Sequence, residues 1–318
     1  MRALITISIS LLLLGSLPAQ DLRRGLVDAD AVVVGRQVGK TVHDEDIVLH
    51  RVQVLHDVRG AAGNTAVTVF DWPKLSLHQR PMPRQSRLYC LMDASATATR
   101  LGLPSANGPY YKMVGWAGSN PLVGAEIAND PNVRFARLLD GSTGTPPAET
   151  ASALCTMALQ GEAGLRTEAV RYLVERPDLQ SKLDQLQWSQ LVTRASGEID
   201  DVTHKIALAE LCAEQRLEGL LEALAVSLGQ VSDPEYARTV GRIGKLLHGE
   251  AAVAKLEQRL RTAGQPQDRK ALLLAIGATN TASALECLLR MDAKDEAVRA
   301  ALNEHRSPRA REAAASRK

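Results

Sequence analysis

The chain has 318 residues, a formal net charge of +2, 45% hydrophobic residues and only 3% aromatics. So small a net charge gives no argument for general nucleic-acid binding, and the length predicts two domains. The aromatics are unevenly placed. Phe70, Trp72, Tyr89, Tyr110, Tyr111 and Trp116 lie in the first half, whereas Tyr172, Trp188 and Tyr236 alone follow Phe135, so two different kinds of core are expected.

Residues 1–19 read as a secretory signal. Arg2 gives a positive start, residues 4–14 an apolar stretch of about eleven residues, and Gly15, Pro18 and Ala19 the breakers and small residue before a cut after Ala19. An uncleaved anchor would need roughly 17–25 apolar residues. No later stretch is long and apolar enough to span a bilayer, so a chain without a transmembrane segment after cleavage, exported to the periplasm or beyond, is expected. Its net charge would be about +1 once Arg2 is removed. The cysteines Cys90, Cys155, Cys212 and Cys287 are scattered, the last three on separate predicted helices. Helix axes pack roughly 8–10 Å apart but bridged Cα atoms lie within about 7 Å, so free buried thiols are expected.

From residue 20 to 139 the pattern predicts a small β domain. Residues 22–28 suit one or two helical turns. Ala31-Val32-Val33-Val34-Gly35 is a β-branched run, residues 47–54 end in apolar/polar alternation, and residues 66–70, 87–92 and 110–114 complete five short strands bounded by Gly, Pro, Asn and Asp. The acidic stretch His43-Asp44-Glu45-Asp46 is expected as a solvated hairpin tip, since it lacks the spacing of a metal loop.

The run Asp28-Ala29-Asp30-Ala31-Val32-Val33-Val34-Gly35, followed by Val52-Gln53-Val54-Leu55-His56-Asp57-Val58-Arg59-Gly60, resembles secreted OB-like barrel domains, whose shape the netrin-like and tissue-inhibitor-of-metalloproteinase modules share. The inhibitory modules work through an N-terminal cysteine and a disulfide set that this sequence lacks, so inhibition is not implied. OB-like barrels bind through an aromatic face flanked by basic loops. Trp72, Tyr110, Tyr111 and Trp116 are the candidate stacking residues, with Arg80, Arg84 and Arg87 beside them in the sequence; filling the barrel core is the alternative role for these aromatics.

Residues 140–149, rich in Gly, Ser, Thr and Pro, predict a linker. From 150 to 318 the period becomes helical: Leu217, Leu220, Leu221, Leu224 and Leu228 mark one face. Asp233-Pro234 and Ser307-Pro308 are helix starts, with a capping residue before proline. Ile243-Gly244 aligns with Ile276-Gly277 at a spacing of 33, which points to stacked helix pairs. The run from Leu272 to Arg290 resembles a HEAT-like repeat of the PBS-lyase type, implying an α-α solenoid of about five pairs and a protein-binding role; the likeness is poorest around residues 179–199. Near the C-terminus, Arg299, Arg306, Arg309, Arg311, Arg317 and Lys318 stand against Glu304 and Glu312, which suits a polar capping repeat with a frayed tail, or else an anionic partner.

Catalytic signatures such as G-x-S-x-G, H-E-x-x-H, a Walker loop or C-x-x-C are absent from the sequence. The histidines are dispersed; the equal strand parity of His50 and His56 allows them to share a face, but a third ligand is not evident and solvated strand histidines are the expectation. No catalytic residue, metal site or cofactor is assigned, and oligomeric state stays open. The expectation is a non-enzymatic binding or scaffold protein with a protein partner in the cell envelope and no nucleic-acid partner. The alternative is an enzyme or inhibitor acting through the barrel, with the helices as support.

Overall fold

The structure, a computed structural model, describes residues 22–61, 63–72, 85–104, 108–114, 121–140, 144–198, 201–231, 233–292 and 294–316. The expected signal, residues 1–19, lies outside them, as do Arg80, Arg84 and Trp116. The chain divides into two compact units, Met1–Tyr172 and Leu173–Lys318.

In the first unit a short helix, α1 (Leu22–Asp28), precedes strands β1 (Ala31–Val42), β2 (Val48–Arg59), β3 (Ala66–Asp71) and β4 (Ser86–Asp93). Helix α2 (Ser95–Arg100), strand β5 (Tyr110–Met113) and helices α3 (Pro131–Asp140) and α4 (Pro147–Gln160) follow. The expected linker, residues 140–149, thus separates two helices of this unit. Helix α5 (Ala163–Val174) runs past the division.

The strands close into a barrel in the order β1-β2-β3-β5-β4. β3 and β5 pair in parallel, and the other neighbours are antiparallel. Alternation puts Ala31, Val33, Val52, Val67, Val69, Tyr89, Leu91 and Tyr111 into one inner core. Gly35 stands on this inner face because a Cβ there would come within 2.5 Å of Val52 Cγ1 and 2.9 Å of Gln53 O. Gly60 follows β2 with φ +79, and a Cβ would meet Asp30 O at 2.3 Å. Both glycines of the OB-like motif are therefore close-approach points of the barrel wall.

The outward valines Val32 and Val34 and the β4 residues Leu88 and Cys90 are also buried. Helix α1 packs on β4 and α3, and α3 packs on β2. Arg59 gathers these pieces: its Nη2 donates to Leu26 O and Ala29 O, and its Nε lies 3.6 Å from Asp140. Glu168 of α5, almost fully buried, accepts from the backbone N of Arg23 and lies 3.4 Å from Arg171; burial raises its pKa, against the pull of both arginines.

The second unit contains α6 (Pro177–Gln180), α7 (Gln185–Ser196), α8 (Val202–Glu214), α9 (Leu220–Ser227), α10 (Pro234–His248), α11 (Ala251–Arg261), α12 (Pro266–Thr279), α13 (Ala282–Leu289), α14 (Glu296–Glu304) and α15 (Pro308–Ser316). These helices form two rows. α8, α10, α12 and α14 pack successively in one row, and α7, α9, α11 and α13 in the other. Asp233 and Ser307 cap α10 and α15 as expected, and Asp184 begins α7 with a capping box.

Backbones approach closely within the first row. A Cβ on Gly241 would stand 2.2 Å from Ala275 O, and one on Gly277 would stand 2.2 Å from Ala301 O. Gly241 thus shares the close-approach role of Gly277, whereas Gly244, 33 residues before Gly277, faces Leu221 and Ala252 of the other row. Leu272 through Thr279 of α12 are buried on every side, and Arg238 of α10 donates across α12's row position to Glu304 of α14 at 2.6 Å. All four cysteines are buried, and among the described residues no disulfide joins them. Among the described residues no helix is long and apolar enough to cross a membrane.

Candidate functional site

The inner face of one barrel end is polar. Gln37 and Gly35 of β1, His50 of β2, Asp71 of β3 and Arg87 of β4 follow the same alternation as the inner core. His50 and Asp71, both more than nine-tenths buried, meet at 3.3 Å between Nε2 and Oδ2. Tyr89, without solvent exposure, has no hydrogen-bond partner for its hydroxyl among the described residues. Burial pushes its pKa up to about 12, with Arg87 opposing. An imidazole held by a carboxylate is a unit that can shuttle a proton, and nothing in the spacing of His50 and Asp71 along the chain announces it.

His50 and His56, of equal parity in the sequence, do not share a face, and His50 is buried where a solvated side chain is expected. Leu55 is an extra residue in the β1–β2 register, where Gly35 pairs with Val54 and Val34 with His56. This bulge turns His56 to the outer side, where its Nε2 lies 2.5 Å from Arg137 Nη2 of α3. Burial, and then the Arg137 charge, lower the His56 pKa.

The candidate aromatics are divided between the two sides of the wall. Tyr111 belongs to the inner core. Tyr110 and Phe70 lie in an outer cluster with Ile47, Leu49, Ala94 and Ala98, and Trp72 packs against it. Trp72 stacks on Phe70 with centroids 5.4 Å apart, and Tyr110 tilts against Phe70 at 5.7 Å. The Tyr110 hydroxyl donates to Pro104 O. Tyr110 and Tyr111 are buried and Trp72 is half-buried. Arg87, 8% exposed, belongs to the inner polar end and donates to Gln85.

In the helical unit, the solvent side of α10 carries Glu235, Arg238, Arg242, Lys245 and Leu246. Glu235 pairs with Arg242 and Arg238, and Leu246 is 57% exposed. A cleft of about 220 Å³ beside the α10 start is floored by Leu228, Val231, Ala237 and Leu274, with Lys270 in its lining. It is smaller than the roughly 300–1,000 Å³ of drug-sized ligand sites.

No protein-family model, curated protein or solved structure matches the chain.

Proposed function

We propose that the chain is an exported binding or scaffold protein whose helical unit is a HEAT-like α-solenoid that holds a protein partner of the cell envelope, with the OB-like barrel as a second contact. The observation that carries this reading is a ladder of side-chain bonds between successive helices of one row. Lys255 reaches Glu222, Ser283 reaches Glu250 and Arg290 reaches Glu257, each 33 residues apart. A similar link, Gln180 to Glu214 at 34 residues, joins α6 to α8, outside that row. Identical reach at one period is what stacked repeats require, because each helix pair buries its apolar stripe only against its neighbours. The parallel β3–β5 pairing within a five-stranded closed barrel supports the OB-like reading of the first unit.

The solvent side of α10 is the docking face, since it sets an exposed leucine among unburied cations. A photo-cross-linking residue at position 246 in the exported chain tests this. It is expected to trap one envelope protein, whereas the same group at exposed Leu122 of the barrel unit traps a different protein or none. Identical, non-selective labelling from both positions would count against the reading. N-terminal sequencing of the exported chain tests the signal, with Gln20 as the expected first residue.

The buried His50–Asp71 pair and the orphan Tyr89 hydroxyl favour a second reading, an enzyme acting through the barrel with the helices as support. It requires a turnover that His50→Gln abolishes while the barrel stays folded.

A further inference from the structure

We infer that His305 is a proton-operated latch, which holds the C-terminal helix α15 to the turn between α12 and α13 and releases it in acid. His305 is 6% exposed and follows the last residue of α14. Its Nε2 lies 3.0 Å from Thr281 O, and its Nδ1 lies 3.2 Å from the backbone N of Ser307. Each partner acts in one direction only: a carbonyl accepts and a backbone N–H donates. The ring is therefore neutral, with the Nε2 proton donated to Thr281 and the Nδ1 lone pair accepting from Ser307. A second bond runs beside it, from Arg306 N to Asn280 Oδ1 at 2.6 Å. Asn280 holds a φ of +53, the left-handed conformation that ends α12.

A proton on Nδ1 turns that acceptor into a donor facing the Ser307 N–H. One bond is lost and two donors meet in a buried corner. Among the described residues no carboxylate pairs with the ring. The acids around it are engaged elsewhere: Glu304 with Arg238, and Glu250 with the amides of Ala282 and Ser283. Arg306 and Arg311, whose Nη2 donates to Arg306 O, oppose an imidazolium. The other charges of α15, Arg309 and Glu312, are exposed and of opposite sign. Ser307 also starts α15, since its Oγ accepts from Ala310 N at 3.3 Å. Little else holds that helix. Among the described residues α15 buries two alanines, Ala310 and Ala314, whereas α14 buries Val298, Ala301 and Leu302. Apolar stabilisation scales with buried area, so α15 depends on its turn more than α14 does. Protonation of one ring thus loosens the last helix, while α12, buried from Leu272 to Thr279, stays closed.

The test follows amide hydrogen exchange of the full chain between about pH 7.5 and 5, where histidine is the side chain that ordinarily changes charge. Each rate is divided by its random-coil value at the same pH. Protection of the α15 amides is expected to fall about ten-fold at the acid end and to return on neutralisation, with α12 unchanged. Nitrogen chemical shifts of the His305 ring are expected to show a proton on Nε2 alone at neutral pH, and a second on Nδ1 as α15 opens. His305→Asn keeps an acceptor for Ser307 N and does not titrate. It is expected to begin with lower protection and to lose the pH dependence. Protection of α15 that is indifferent to pH, a fall while the ring stays neutral, or the same fall in His305→Asn would each overturn the proposal. The docking reading is untouched by such a failure, because it is tested at position 246.

Discussion

The ammonium of Lys205 lies 4.9 Å from the centre of the Tyr236 ring, and its Nζ donates to Gly197 O at 2.6 Å. Lys205 has no solvent exposure. Gly197 follows the last turn of α7, so the lysine of α8 satisfies a helix-end carbonyl from inside the core. The Tyr236 hydroxyl is shared with Ser227 Oγ at 2.6 Å, and burial pushes the tyrosine pKa up to about 12.

Lys205 predicts a pH dependence. Burial brings its pKa from 10.5 down to about 8, with the charge of Glu198 opposing. Between these values the unfolded chain holds the proton that the folded chain has released, so Lys205's contribution to stability improves as pH rises through the window. The full shift corresponds to about 3 kcal/mol. The buried thiols of Cys90 and Cys287, pushed up to about 12, work in the opposite direction, so the lysine is read by difference. Relative to wild type, Lys205→Met is expected to lose about 2–3 kcal/mol of stability between pH 7.5 and 10.5 in urea unfolding. A difference that does not change with pH would mean that the lysine titrates normally.

Gly241 and Gly277 predict the cost of separating the first row. An alanine at either position must push a neighbouring backbone carbonyl from 2.2 Å. Gly241→Ala and Gly277→Ala are each expected to cost about 1–3 kcal/mol. Gly264→Ala, where a Cβ meets open space, is expected to be neutral or slightly stabilising. Chemical unfolding of the three variants makes the comparison.

Arg59 predicts how the barrel holds its helices. Arg59→Ala strands the carbonyls of Leu26 and Ala29 and removes one ion-pair partner of Asp140, at an expected cost of about 2–4 kcal/mol. Arg59→Lys is expected to recover less than half, since one ammonium does not reproduce a planar fork. Hydrogen exchange over residues 22–28 and 131–140 is expected to accelerate in both variants.

The strands and many helix starts were legible because each rests on local pattern. Ala31-Val32-Val33-Val34-Gly35 carries β-branching, inner/outer alternation and the glycine demanded by Val52. Asp233 and Ser307 announce their helices through capping chemistry. What escaped depends on partners remote in sequence. A single bulge at Leu55 separates His50 from His56, and parity counting does not detect it. Tyr110 reads as a surface aromatic until α2 brings Ala98 into one cluster with it and Phe70. The alignment of Ile243-Gly244 with Ile276-Gly277 does not reveal that Gly241 is the glycine of α10 that meets the α12 backbone, which only the crossing of the two helices sets. Nothing in the sequence marks the burial of Lys205, which follows from its contacts with Gly197 after α7 and Tyr236 of α10.

The most direct measurement is capture from native envelope extract with the full mature chain and a variant combining Arg242→Glu, Lys245→Glu and Leu246→Asp. These three side chains lie on the solvent side of α10, so the variant is expected to keep the wild-type unfolding midpoint to within about 0.5 kcal/mol. The predicted result is one specific protein partner retained by the wild type and lost by the variant. Equal retention by both, or no partner with either, would contradict a docking role for the helical unit.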